Sequence, residues 1–188
     1  MKKVFLLHGM SSRLDDCFGL KLKESLQSLG YKIYEPKFPL APNITLKNWT
    51  EEMDKFKSMI GNDDIFICHS LSTNFIIKYF AKNKLKARAL IAVAGGLLTE
   101  GSSVQPGFEY LEELVPNLQE MKYAVKNISN RFNIFNKNDN IWKLAEILNY
   151  TDKLKAKGVE LSYGGHFGRS SGVKEIPEIV ELIEKIDC

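Results

Sequence analysis

The stretch Asp64–Phe80, DIFICHSLSTNFIIKYF, constrains the fold more than any other part of the chain. Ile65, Phe66, Ile67 and Cys68 form a short apolar run with no polar alternation. A strand covered on both faces of a parallel sheet reads this way, because neither face meets water. Leu71, Phe75, Ile76, Tyr79 and Phe80 then recur at helical spacing. His69-Ser70-Leu71 lies on the bend between the two elements. A serine there sits on a tight strand-to-helix turn, with its hydroxyl exposed above the sheet edge and amides facing any oxyanion that forms. The usual pattern has glycine two places before and after that serine, because strand and helix pass closely. Cys68 and Ser72 occupy those places. Both are small, so the stretch reads as a degenerate form of the turn. The plain alternative is a serine that only caps a helix.

The same alternation runs through the whole chain. Val4–Leu7 is an apolar strand ending at His8-Gly9-Met10-Ser11-Ser12. Phe18, Leu22, Leu26 and Leu29 give a helix that Gly30 stops. Lys32–Glu35 reads as a second strand, and Thr45 as the cap of a helix carrying Leu46, Trp49, Met53, Phe56 and Ile60. Further strands are expected at Ala89–Ala94, Phe132–Phe135 and Val159–Tyr163. Leu97–Asn130 is irregular, with a loop at Ser102, Ser103, Pro106 and Gly107 and a short amphipathic helix over Phe108, Leu111, Leu114 and Val115. Trp142–Leu148 reads as helix. The final helix carries Ile176, Ile179, Val180, Ile183 and Ile186, with Pro177 in its first turn. This order predicts one α/β domain over residues 1–188, a three-layer α/β/α sandwich on a mostly parallel sheet of about six strands.

With 188 residues, 44% hydrophobic and 26% charged, the chain suits one globular domain with a sizeable core. A net charge of +3 gives no reason to expect nucleic acid or a membrane surface as partner. The cluster Lys78, Lys82, Lys84, Lys86 and Arg88 reads as a solvated face. The opening MKKVFLL is too short for a signal-peptide core, and no stretch is long enough to span a bilayer. Cys17, Cys68 and Cys188 are odd in number and lack metal spacing, so reduced thiols in a cytoplasm are expected.

Ligands in parallel sheets bind beyond the carboxyl ends of the strands. Four polar clusters fall at such ends: His8–Ser12, His69–Ser72, Asn136–Asn140 and Gly164–Gly168. A serine hydrolase needs a nucleophile, a base and an acid that orients the base. Ser70, Asp139 and His166 supply these in the chain order Ser, Asp, His. Asp139 lies just past the fifth strand, whereas Asp152 lies within the run towards the next. An Asx-turn before Ile141-Trp142 is the plain account of Asp139. His166, among Gly164, Gly165 and Gly168, belongs to an exposed loop. The oxyanion donors expected are the amides of Met10 and Leu71. Phe18, Phe108, Trp142 and Phe167 are the candidates to line an apolar acyl pocket. His8 and His69 are expected to brace their loops. Neither has a carboxylate or cysteine at ligand spacing, so no metal or other cofactor is expected. Cys68 should point inward, away from the chemistry.

These residues resemble a known family. VFLLHGMSS, ICHSLSTNFIIKYF, NKNDNIW and YGGHF match, in order, the HG strand, the nucleophile turn, the acid loop and the histidine loop of the small serine hydrolases typified by retinoblastoma-binding protein nine and bacterial YdeN. The resemblance covers nearly the whole chain. It implies a reduced α/β-hydrolase fold lacking the two leading strands of larger relatives, and a triad at Ser70, Asp139 and His166. The chain departs from the pattern at Cys68 and Ser72, in an acid loop reading Asn138-Asp139-Asn140-Ile141-Trp142, and near Cys17-Phe18, where a tryptophan is common.

The expected function is hydrolysis of small carboxylic esters or amides through an acyl-enzyme on Ser70. The alternative is a protein-interaction module on the same fold with weak or absent catalysis. An acyltransferase would use the same acyl-enzyme with a different acceptor. Restoring glycine at positions 68 and 72 is expected to be tolerated.

Overall fold

A computed structural model describes residues 2–97 and 109–187. Phe108, Cys188 and the loop residues Ser102, Ser103, Pro106 and Gly107 lie outside the described residues.

The strands are β1 (Lys3–Leu7), β2 (Lys32–Tyr34), β3 (Ile65–His69), β4 (Ala87–Val93), β5 (Ile128–Phe135) and β6 (Lys157–Glu160). The helices are α1 (Gly19–Ser28), α2 (Leu46–Asp54), α3 (Leu71–Asn83), α4 (Leu118–Asn127), α5 (Leu144–Lys153) and α6 (Pro177–Asp187). The sheet runs β2-β1-β3-β4-β5-β6, and every pairing among the described residues is parallel. The order reverses between β1 and β3, so the loops after these neighbouring strands open a crevice at the carboxyl edge.

The two-residue period of each strand divides the core. Phe5, Leu7, Phe66, Cys68, Leu90 and Ala92 face one side. There they meet Trp49 and Met53 of α2, Phe75, Ile76 and Phe80 of α3, Met121 and Ala124 of α4, and Tyr150 of α5. Val4, Leu6, Ile65, Ile67, Ala89 and Ile91 face the other side, against Leu22 and Leu26 of α1 and Ile179, Leu182 and Ile183 of α6. Burial of apolar surface on both faces is what commits the central strands to the middle of the sheet. The result is the three-layer sandwich expected.

Local signals act as the sequence indicates. Gly30 adopts φ +80° just past α1. Thr45 accepts the Asn48 amide at 3.1 Å, and Asn48 Oδ1 accepts the Thr45 amide at 3.0 Å, which closes the start of α2. The short helix expected around Leu111 and Leu114 is a 3₁₀ helix, Glu109–Leu114. Two expectations need correction. The stretch after it, expected to be irregular, forms the full helix α4. The last strand is also earlier and shorter than expected: β6 ends at Glu160, although the Leu161 amide still donates to the Phe135 carbonyl at 2.8 Å.

Candidate active site

Ser70 joins β3 to α3 with φ 55° and ψ −124°, in the left-handed half of backbone space that a side-chain-bearing residue seldom occupies. Its neighbours hold it there. The Ser70 amide donates to Val93 at the end of β4 at 2.9 Å, and its carbonyl accepts the Thr73 amide at 2.9 Å. Ser72 takes part as well. Its Oγ accepts the His69 amide at 3.0 Å and lies 3.0 Å from the Leu7 carbonyl and 2.9 Å from the His69 carbonyl, with one proton to give. A hydroxyl at this position therefore links the turn to the end of β1, which glycine would not do. Cys68 is fully buried, and burial pushes its thiol pKa well up, which removes it as a nucleophile.

Ser70, His166 and Asp139 form one hydrogen-bonded chain. The Ser70 hydroxyl lies 2.8 Å from His166 Nε2. His166 Nδ1 lies 2.8 Å from Asp139 Oδ2 and 3.0 Å from Oδ1. An ionised carboxylate only accepts, so Nδ1 carries the proton and Nε2 offers its lone pair to the serine. Asp139 follows β5, and His166 follows β6 on a loop shaped by Gly164 at φ +93°. The Asp139 side chain is fully buried and that of His166 is 15% exposed. Burial acts to raise the Asp139 pKa, but hydrogen bonds from His166 and from the Ile141 and Trp142 amides outweigh it and hold the pKa below the usual carboxylate value. Those two amides, at 2.7 and 3.0 Å, make the Asx-turn that was the plain reading of Asp139. One carboxylate serves both purposes.

The other two histidines brace this arrangement. His69 Nε2 donates to the His166 carbonyl at 2.8 Å, bridging the turn after β3 and the loop after β6. Its Nδ1 is buried without a partner among the described residues, and burial drives its pKa down to about 3, so the ring stays neutral. His8 donates from Nδ1 to the Gly9 carbonyl at 2.7 Å and accepts from Arg13 at 3.3 Å, holding the loop after β1. Burial lowers its pKa too.

A cavity of about 780 Å³ opens beside Ser70 and His166. Met10 and Leu71 both line it. Leu71 opens α3, so its amide has no helical acceptor, and the Met10 amide donates to no backbone carbonyl among the described residues. Of the aromatic residues expected on the wall, Trp142 lines the cavity. Phe18 and Phe167 do not. Both are completely buried in the core beneath α1 and α6. Phe18 stands edge-on to His69 at 5.8 Å, and Phe167 fills the space that a side chain on Gly164 would need. They support the histidines from the apolar side. The walls instead include Leu111, Val115, Asn74, Glu146, Lys143 and Arg169. Leu111 and Val115 belong to the irregular segment 97–130, whose length suits a pocket wall; Asn74, Glu146, Lys143 and Arg169 have no signal in the sequence, because a polar residue within a helix or loop carries no mark of facing a cavity.

A parallel sheet with its acid–histidine–serine chain at the carboxyl edge defines an α/β-hydrolase. The family model described as "Serine hydrolase" matches residues 5–185, and the chain belongs to that family. YdeN of Bacillus subtilis (strain 168) is 20% identical over 185 residues, covering 97% of this chain and 94% of its own. The crystal structure of the ydeN gene product superposes with a TM-score of 0.87 at 18% identity, covering 99% of this chain and 98% of that one. A carboxylesterase of the thaumarchaeon Nitrososphaera gargenis gives 0.71 at 10% identity, covering 98% and 89%. A thioesterase domain from the curacin biosynthetic pathway gives 0.68 at 11%, covering 98% and 91%. The protein is an enzyme of the serine hydrolase class, acting on small molecules. No helix among the described residues is long and apolar enough to cross a membrane.

Proposed function

We propose that the protein hydrolyses small carboxylic esters or amides through an acyl-enzyme on Ser70. The observation that carries this is the 2.8 Å contact between Ser70 Oγ and a His166 whose other nitrogen is held by buried Asp139. His166 Nε2 takes the hydroxyl proton as Oγ bonds to the carbonyl carbon. The carbonyl oxygen becomes an oxyanion that the Met10 and Leu71 amides receive. The proton passes from His166 to the leaving alcohol or amine as the bond to it breaks. Water then gives a proton to the same nitrogen and attacks the acyl carbon; as the bond from that carbon to Oγ breaks, His166 passes the proton to Ser70 and the free acid leaves. Asp139 keeps the imidazole in the required tautomer and stabilises its charged form. The likeness to a carboxylesterase and a thioesterase supports acyl chemistry. The buried free thiols of Cys17 and Cys68 suit a reducing, cytoplasmic setting.

Labelling with a fluorophosphonate, which needs an activated serine and no knowledge of the substrate, tests this reading. An adduct on Ser70 that disappears in His166→Ala is expected. A folded protein that takes no label would instead favour the interaction-module alternative.

A further inference from the structure

Asn74 lies one helical turn past Ser70 on α3, lines the cavity and is 1% exposed. Its Nδ2 donates to the Gly96 carbonyl at 3.0 Å. That bond sets the amide's orientation, because the reversed amide would press Oδ1 against a carbonyl oxygen. Oδ1 is left buried with no hydrogen-bond partner among the described residues. Trp142 also lines the cavity, and its Nε1 is likewise buried with no partner among the described residues. Both side chains meet at Gly96, where an added Cβ would come within 2.3–2.7 Å of three indole atoms. Glycine there lets the indole close against the backbone whose carbonyl Asn74 holds. Folded proteins leave few buried polar atoms unmatched, since each gives up water without replacement. Here the two unmatched atoms are of opposite sense: Oδ1 only accepts and Nε1–H only donates.

We propose that Asn74 and Trp142 form a recognition subsite for a hydroxyl on the substrate, so that the preferred substrates are hydroxylated esters; this rests on the serine-hydrolase reading of Ser70. A hydroxyl gives its proton to Asn74 Oδ1 and takes one from Trp142 Nε1. A carboxylate has no proton for Oδ1, and an ammonium has no lone pair for Nε1. The helical rise places Asn74 about 6 Å along the axis from Ser70, so the hydroxyl stands roughly five or six bonds from the ester carbonyl.

The test compares matched esters on the wild-type protein. On the acyl side, p-nitrophenyl hexanoate is set against p-nitrophenyl 6-hydroxyhexanoate. On the alcohol side, butyl acetate is set against 4-hydroxybutyl acetate. In one pair kcat/KM should favour the hydroxylated member by about tenfold, the worth of one net hydrogen bond. That ratio should fall towards one in Trp142→Phe, which keeps an aromatic ring without the N–H, and in Asn74→Leu. No preference in either wild-type pair overturns the proposal, and that comparison suffices even if neither variant folds. A preference that persists undiminished in both variants also overturns it. Fluorophosphonate labelling of Ser70 is read alongside. Label without preference rejects the subsite alone, whereas absence of label rejects the hydrolase reading beneath it.

Discussion

Ser70 carries the proposed reaction, and its side chain does little for the fold. Ser70→Ala should lower ester hydrolysis by at least about a thousandfold while leaving the thermal midpoint near that of the wild type. Wild-type-like turnover of a p-nitrophenyl ester in this variant would remove the mechanism. Ser72 behaves in the opposite way. Its hydroxyl ties the nucleophile turn to β1 inside the core, so Ser72→Gly should cost about 1–3 kcal/mol in urea denaturation. The glycine-restoring change that the sequence pattern invites is therefore unfavourable in this chain. His69 makes the pH dependence predictable. Its native pKa of about 3 lies below the ordinary value of 6.5, so between those values the unfolded chain binds the extra proton. Stability is then complete above pH 6.5 and falls as pH drops towards 3, with a loss of about 2 kcal/mol by pH 5. His69→Gln retains a donor for the His166 carbonyl and does not titrate, so unfolding curves from pH 3 to 7 should show a flatter acid limb. Asp139, whose pKa is lowered in the fold, adds a further loss at more acidic pH that this variant should keep. The serine and the acid were legible in the sequence because each follows an apolar strand run, and the histidine because Gly164, Gly165 and Gly168 mark its loop. Asn74 was not, since a helix pattern does not tell a cavity-facing asparagine from any other.

At the scale of elements, legibility followed burial. β3 and β4 are apolar apart from His69 and Arg88 and stand out, whereas α4 buries only Met121 and Ala124 and offers little periodicity. Asn117 and Glu120 form a capping box at its start, in which the Asn117 side chain accepts the Glu120 amide at 3.0 Å. Asn117→Ala should accordingly lower stability by about 1 kcal/mol with activity retained. Phe18 and Phe167 were misread for a different reason. An aromatic residue beside a strand end faces either the crevice or the core, and only the packing of α1 and α6 decides which. The histidine loop depends on that packing. Gly164 combines φ +93° with a Cβ position 2.3 Å from the Phe167 ring. Gly164→Ala should therefore displace His166 and reduce kcat well before it affects overall folding, which paired activity and thermal-melt measurements would reveal.

Across the whole molecule, the alternation of strand and helix was enough to give the layers, because a parallel sheet requires a covering crossover between its strands. The last helix is fastened across that sheet. Asp187 meets Lys2 at 2.5 Å and the Tyr31 hydroxyl at 2.6 Å, while Arg88 donates to the neighbouring Ile186 carbonyl. These contacts join α6 to chain segments that are distant in sequence. The two outermost strands are the shortest of the sheet, β2 with 3 residues and β6 with 4. Both begin with lysine, and three of the four β6 residues are exposed. Such edges make poor templates for an incoming strand. The segments suited to self-association, such as IFIC and ALIAV, are sealed in the centre of the sheet until it opens. Heat-induced clouding of a solution should thus begin only where cooperative unfolding begins, and any treatment that slows unfolding should delay precipitation to the same extent.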